Sequence, residues 1–193
     1  MTQVGHQREV HIFFTFQENN IGGGKMNGVL YHACLPDGHE HYVSVEEIMS
    51  GGINHKTKSN NRYSNGGRVK LDVTERFRPL NTPNWVIFRE AIGVDMVNRF
   101  TKSFFFPEFT SKILVFDGNI SLSIYDQAFY EDLKDTDEEA LNFDTGESLE
   151  HWVKLYWGSL MTLDEYKARK PYPKPEILVF ESVPKEIIQV CEE

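Results

Sequence analysis

Apolar residues along this chain fall in short runs separated by polar, glycine-rich or proline-rich stretches, a pattern of many short strands and few long helices. Val10 to Phe16 is apolar and aromatic and ends in Glu18-Asn19-Asn20-Ile21-Gly22-Gly23-Gly24, which reads as a strand and a flexible turn. Gly28 to Cys34 reads as a second strand, closed by Pro36-Asp37-Gly38. Ser44-Val45-Glu46-Glu47-Ile48-Met49 carries a helix start: Ser44 caps, and Glu47 three residues on completes a capping box. Gly51-Gly52 stops that helix. From Asn54 to Gly67 the chain is polar, without periodicity, and too long for a plain connection, so we expect it to cover a site or to be partly mobile.

Further on, Val69 to Val73 alternates as a strand, and Asn84-Trp85-Val86-Ile87-Phe88 reads as another, followed by a short helix around Val94 to Phe100. Phe104-Phe105-Phe106 is core. Ile113 to Phe116 is a buried strand running into an Asp117-Gly118-Asn119 turn. Gln127 to Leu141 is an acidic surface helix, and Trp152, Leu155, Tyr156 and Leu160 share one helical face. The last apolar run, Ile177 to Phe180, follows Arg169-Lys170-Pro171-Tyr172-Pro173-Lys174-Pro175-Glu176. This basic, proline-stiffened approach delivers Glu176 to the head of a buried strand, and catalysis on a polar bond needs such a rigidly placed carboxylate. These elements define an α+β fold with a mixed or split sheet, and 193 residues suffice for one domain.

Composition narrows the function. The net charge is −9, with the negative charge concentrated between Glu131 and Glu150, which argues against a protein that coats nucleic acid non-specifically. A local basic groove for a short nucleic acid stays open. Cys34 and Cys191 are too few for a disulfide scaffold, and neither a signal sequence nor a membrane span is legible, so the expected setting is the cytoplasm. His32-x-Cys34 with His39-x-His41 has zinc-ligand types, but the spacing is unlike compact zinc sites and no second cluster supports it, so no metal is expected. Gly22-Gly23-Gly24-Lys25 lacks the spacing of a phosphate loop and reads as a hairpin turn.

Three segments together resemble the DarT-type ADP-ribosyltransferase toxins. The first is Tyr31-His32-Ala33-Cys34 or His41-Tyr42-Val43-Ser44, leading into Val45 to Ser50 and Gly51-Gly52-Ile53-Asn54-His55. The second is Leu114 to Asn119 with Phe129-Tyr130 and Leu141 to Asp144 behind it. The third is Arg169-Lys170 leading to Glu176-Ile177-Leu178-Val179 and Val183-Pro184-x-x-Ile187. The resemblance implies a split mixed β-sheet core with short helices in a single domain, taken as 1–193, and the extra N-terminal segment 1–30 departs from the family's pattern. It implies NAD as substrate, without a metal, and Glu176 as the catalytic glutamate. Arg89 is the best match to the family's central arginine, with Arg68, Arg76 and Arg78 as rivals. His32, His41, Ser44, Gly52 and Asn54 would contact NAD, and the sequence does not choose between the two histidines. Lys56, Lys58, Arg62, Arg68, Arg169 and Lys170 would grip nucleic acid.

By that resemblance the chain transfers ADP-ribose to a nucleobase of single-stranded DNA as a toxin or phage-defence effector, with a macrodomain antitoxin as partner. Transfer to RNA or protein is the near variant. A catalytically inactive relative serving as a binding or inhibitor protein is the alternative from another class.

Overall fold

The computed structural model describes residues 28–35, 37–39, 42–58 and 65–192, with the side chains of 65–69 and 192 left aside. The expected Val10 to Phe16 strand and Gly22 to Lys25 turn lie outside them.

The fold is α+β. Strands β1 (Val29–Ala33), β3 (Lys102–Pro107) and β7 (Gln189–Glu192) form one sheet in the order β1-β3-β7. A second sheet has the order β2-β6-β4-β5, from β2 (Ile92–Val94), β4 (Ile113–Asp117), β5 (Met161–Thr162) and β6 (Pro175–Val179). Tyr31 and Asp95 exchange backbone hydrogen bonds of 2.8 Å each way and join the two sheets where β1 passes the end of β2. The sheet is split, but every pairing among the described strands is antiparallel, which corrects the expectation of a mixed sheet.

Helix α1 (Val45–Gly51) starts where the sequence places it, with Ser44 Oγ accepting the Glu47 N–H at 3.1 Å. Its stop at Gly52 is sterically enforced. The residue has φ +78°, and a β-carbon there would lie 2.4 Å from the Val183 carbonyl oxygen. Helices α2 (Asn65–Arg76), α3 (Gly118–Leu133) and α4 (Leu149–Gly158) cover one face of the second sheet, and α5 (Leu163–Arg169) runs into the approach to β6.

Six local readings need correction. Val69 to Val73 is part of α2, because Lys70, Leu71, Val73 and Thr74 are all buried, a helical period in which two inner positions are polar. Asn84 to Phe88 is a turn entering the 3-10 segment Phe88–Glu90, with Phe88 held among the rings of Phe116, Tyr156, Trp157 and Phe180. Val94 ends strand β2 instead of opening a helix. Asp117-Gly118-Asn119 is the start of α3, where Asp117 accepts the Asn119 N–H at 2.9 Å, and α3 stops at Leu133, ahead of a separate 3-10 segment Glu138–Phe143. On α4 the buried face is Leu149, Val153, Tyr156 and Trp157, whereas Leu155 and Leu160 are exposed.

Alternation along β4 and β6 divides the interior in two. Ile113, Val115, Ile177 and Val179 pack with Leu30, Phe104 and Phe106 on one side. Leu114, Phe116, Leu178 and Phe180 pack beneath α2, α3 and α4 on the other. Glu176 shares that second face, at the end where the apolar row stops.

Candidate functional site at the head of strand β6

Glu176 pairs across the sheet with Phe116 and lies on an interior strand, flanked by β2 and β4. Three helices bring polar groups to its carboxylate. From α2, Lys70 Nζ donates to Oε1 at 3.1 Å and reaches Oε2 at 3.5 Å. From α4, the Tyr156 hydroxyl donates to Oε2 at 2.6 Å. From α3, Ser121 accepts from Lys70 at 2.5 Å, and the Tyr125 ring lies 4.6 Å from the ammonium. Lys70, Ser121 and Tyr156 are buried, while 26 % of the Glu176 side chain is accessible, so what opening the cluster has to solvent lies along Glu176.

The backbone makes this convergence possible at Gly118. Its N–H donates to the Lys174 carbonyl at 2.7 Å, and a β-carbon at Gly118 would lie 2.6 Å from that same oxygen. Glycine therefore lets the first turn of α3 sit directly on the entry to β6, and Ser121 and Tyr125 follow at helical spacing over Glu176.

Burial pushes the Glu176 carboxyl up, but the Lys70 ammonium and the hydroxyls of Tyr156 and Ser121 outweigh it and hold the group below the usual carboxylate range. Burial and the adjacent carboxylate push the Tyr156 phenol well up, so it stays a donor. The arrangement is an ionised carboxylate on a rigid strand, which can stabilise positive charge or take a proton.

The other residues singled out from the sequence lie elsewhere. Arg89 is exposed and bound to Asp72 of α2 at 2.6 Å, whereas the cation on Glu176 is Lys70. Of the rivals, Arg78 binds Glu75 and the Pro83 carbonyl, Arg76 is exposed at the end of α2, and the Arg68 side chain lies outside the described residues.

His32 is a core residue, 2 % exposed, with Nδ1 2.8 Å from the Gly93 carbonyl. It sits two residues from Leu30, in the part of the core that Ile177 and Val179 share, on the opposite side of the sheet from Glu176. This corrects the expectation that it contacts the same ligand. Burial pulls its imidazole down to about 4, against the opposing pull of the Gly93 carbonyl.

Lys58 is also buried, correcting its assignment to a nucleic-acid surface. Its ammonium donates to the Arg89 and Ala91 carbonyls at 2.7 Å each, and burial pulls it down to about 8. Together Lys58 and His32 pin alternate carbonyls at 89, 91 and 93 on the way into β2.

Ser44, Gly52 and Asn54 serve the local backbone. Ser44 caps α1, Gly52 makes the close approach to Val183, and Asn54 Oδ1 accepts the Lys56 N–H at 2.8 Å. Lys56, Arg169 and Lys170 are exposed, Lys170 in the left-handed region at φ 45°. His41 and Arg62 lie outside the described residues.

Sequence reasoning missed Lys70, Ser121 and Tyr125. A lysine between Val69 and Leu71 was the available signal, masked by its fit to a strand pattern. Two clefts, of about 290 Å³ along Cys34, Tyr42 and Lys102 and about 160 Å³ along Glu108, Thr110 and Asp164, do not include Glu176 in their walls. No family model, no curated protein and no solved structure matches the chain. Among the described residues no helix is long and apolar enough to cross a membrane.

Proposed function

We propose that the protein is an NAD-dependent ADP-ribosyltransferase with Glu176 as its catalytic carboxylate, acting on a nucleobase of single-stranded DNA. The observation that carries this reading is the ionised Glu176 carboxylate, on a partly accessible side chain, fixed on an interior strand by groups from three helices. In the reaction the bond between ribose C1′ and the nicotinamide nitrogen breaks, and its electron pair leaves with nicotinamide. Positive charge builds at C1′, where a carboxylate stabilises it as in glycoside hydrolysis. The acceptor nitrogen bonds to C1′, and its proton passes to Glu176.

The resemblance gives an arginine to the pyrophosphate or the nicotinamide ribose, and Lys70 is the cation nearest the carboxylate. The DNA acceptor, a macrodomain partner and a cytoplasmic toxin role rest on the resemblance. The exposed Lys56, Arg169 and Lys170 suit a nucleic-acid strand on an otherwise acidic protein. A second reading, an inactive relative that serves as a binding or inhibitor protein, draws on the full pairing of Glu176 with Lys70.

The test is incubation with labelled NAD and, separately, single-stranded DNA, RNA and protein mixtures. Label on DNA that is lost in Glu176→Gln supports the proposal. Label on RNA or protein alone changes the acceptor. No transfer and no nicotinamide release from any mixture leaves the binding-protein reading.

A further inference from the structure

The charge on Glu176 is already answered. Lys70 lies 3.1 Å and 3.5 Å from its two oxygens, and Lys70 spends another N–H on Ser121 while its cationic head faces the Tyr125 ring. A reacting carbon that turns positive beside this pair meets a carboxylate whose charge the adjoining ammonium already offsets, which weakens the field it feels. Glu176 can stabilise such a charge only once Lys70 has turned to another anion. The two side chains are unequally placed for that exchange: 26 % of the Glu176 side chain is accessible against 7 % of that of Lys70, so a ligand reaches Glu176 first and meets the ammonium beyond it. Lysine suits the exchange, being a point charge on a flexible four-carbon stem, unlike the rigid fork of arginine. A phosphate oxygen carries the charge needed to draw it away from a carboxylate.

Resting on the transferase reading above, we infer that Lys70 is the specificity-determining residue of the site: it keeps Glu176 paired until a phosphate-bearing riboside takes the ammonium, and so reserves the carboxylate for phosphorylated substrates. Lys70 acts through Glu176 and is a positioning residue in this scheme. The other groups facing the pair, Ser121 and Tyr125 of α3 and Tyr156 of α4, are neutral donors, acceptors or rings that cannot supply the missing charge.

The experiment compares hydrolysis of NAD with that of nicotinamide riboside, which has the same scissile bond and no phosphate. In both, the C1′–N bond breaks with its electron pair going to nicotinamide, a water oxygen bonds to C1′, and a proton is released. Wild type should favour NAD in kcat/KM by at least ~100-fold, the scale of one well-placed charge contact, and Lys70→Met should lose NAD turnover while gaining about tenfold on the riboside. An unchanged ratio, with both substrates falling together, overturns the inference. Glu176→Gln should be silent on both, and activity surviving in that variant overturns the transferase reading instead.

A second measurement needs no variant and no turnover. Carboxyl-carbon NMR of wild type should show Glu176 titrating higher when inorganic pyrophosphate saturates the site, as the ammonium leaves it. A titration that pyrophosphate does not move overturns the inference even if Lys70→Met fails to fold.

Discussion

Tyr156 donates its hydroxyl to Glu176 across 2.6 Å while its ring lies flat on Phe116, with centroids 4.4 Å apart and planes 10° apart. Since Phe116 is also the cross-strand partner of Glu176, the phenol is fixed by the same strand pair that fixes the carboxylate. Tyr156→Phe therefore keeps the stack and removes one hydrogen bond to a charged group. We expect a loss of about 2 kcal/mol in chemical denaturation with an unchanged m-value. The Glu176 titration should move up at the same time. Unaltered stability and titration would show that the contact contributes nothing.

Stability should fall in acid in two stages. His32 is held near 4 in the fold and titrates near 6.5 when unfolded, so between those values the unfolded chain binds more protons. Its contribution is complete above pH 6.5 and is lost as pH falls through about 4, amounting to about 3 kcal/mol. Glu176, depressed by its neighbours, adds a further loss only below the unfolded carboxyl value of about 4.3. His32→Asn, which can keep a donor toward the Gly93 carbonyl without titrating, should flatten the first stage and leave the second. A pH–stability curve unchanged by this variant would contradict the burial of a neutral imidazole.

Lys58→Met tests a structural lysine against a surface one. Removing the ammonium leaves the Arg89 and Ala91 carbonyls without its donors, and a cost on the order of 3 kcal/mol follows. Thermal unfolding should report that loss, while the salt dependence of any binding to single-stranded DNA should not change. A reduced salt slope without destabilisation would return Lys58 to the nucleic-acid surface.

Gly118→Ala should act on the site through the backbone. The added β-carbon meets the Lys174 carbonyl oxygen at 2.6 Å, so α3 must lift from β6 and carry Ser121 and Tyr125 away from Glu176. We expect destabilisation of about 1–3 kcal/mol and a Glu176 titration nearer the ordinary carboxylate value. Gly158→Ala, where nothing lies within 4 Å, is the control and should be neutral or slightly stabilising. Equal behaviour of the two variants would remove the argument for close approach at Gly118.

The amino-acid sequence by itself determined the elements whose apolar runs end in unambiguous punctuation. These are β1 before its polar loop, α1 between Ser44 and Gly52, and the buried runs of β4 and β6. It also determined that Glu176 stands on a strand at the edge of a core, because alternation fixes which side of a strand a residue faces. Only the tertiary structure decided what meets Glu176 there. Lys70 is 106 residues away along the chain, and its buried place on α2 reads as a strand position until α3 and α4 are laid over it. His32 shows the converse. A strand histidine has the same local pattern whether it faces a ligand or a carbonyl, and the Gly93 oxygen, 61 residues on, settles it. Local patterns record how a side chain leaves its own element, while the partner that neutralises, buries or exposes it comes from packing between elements distant in sequence.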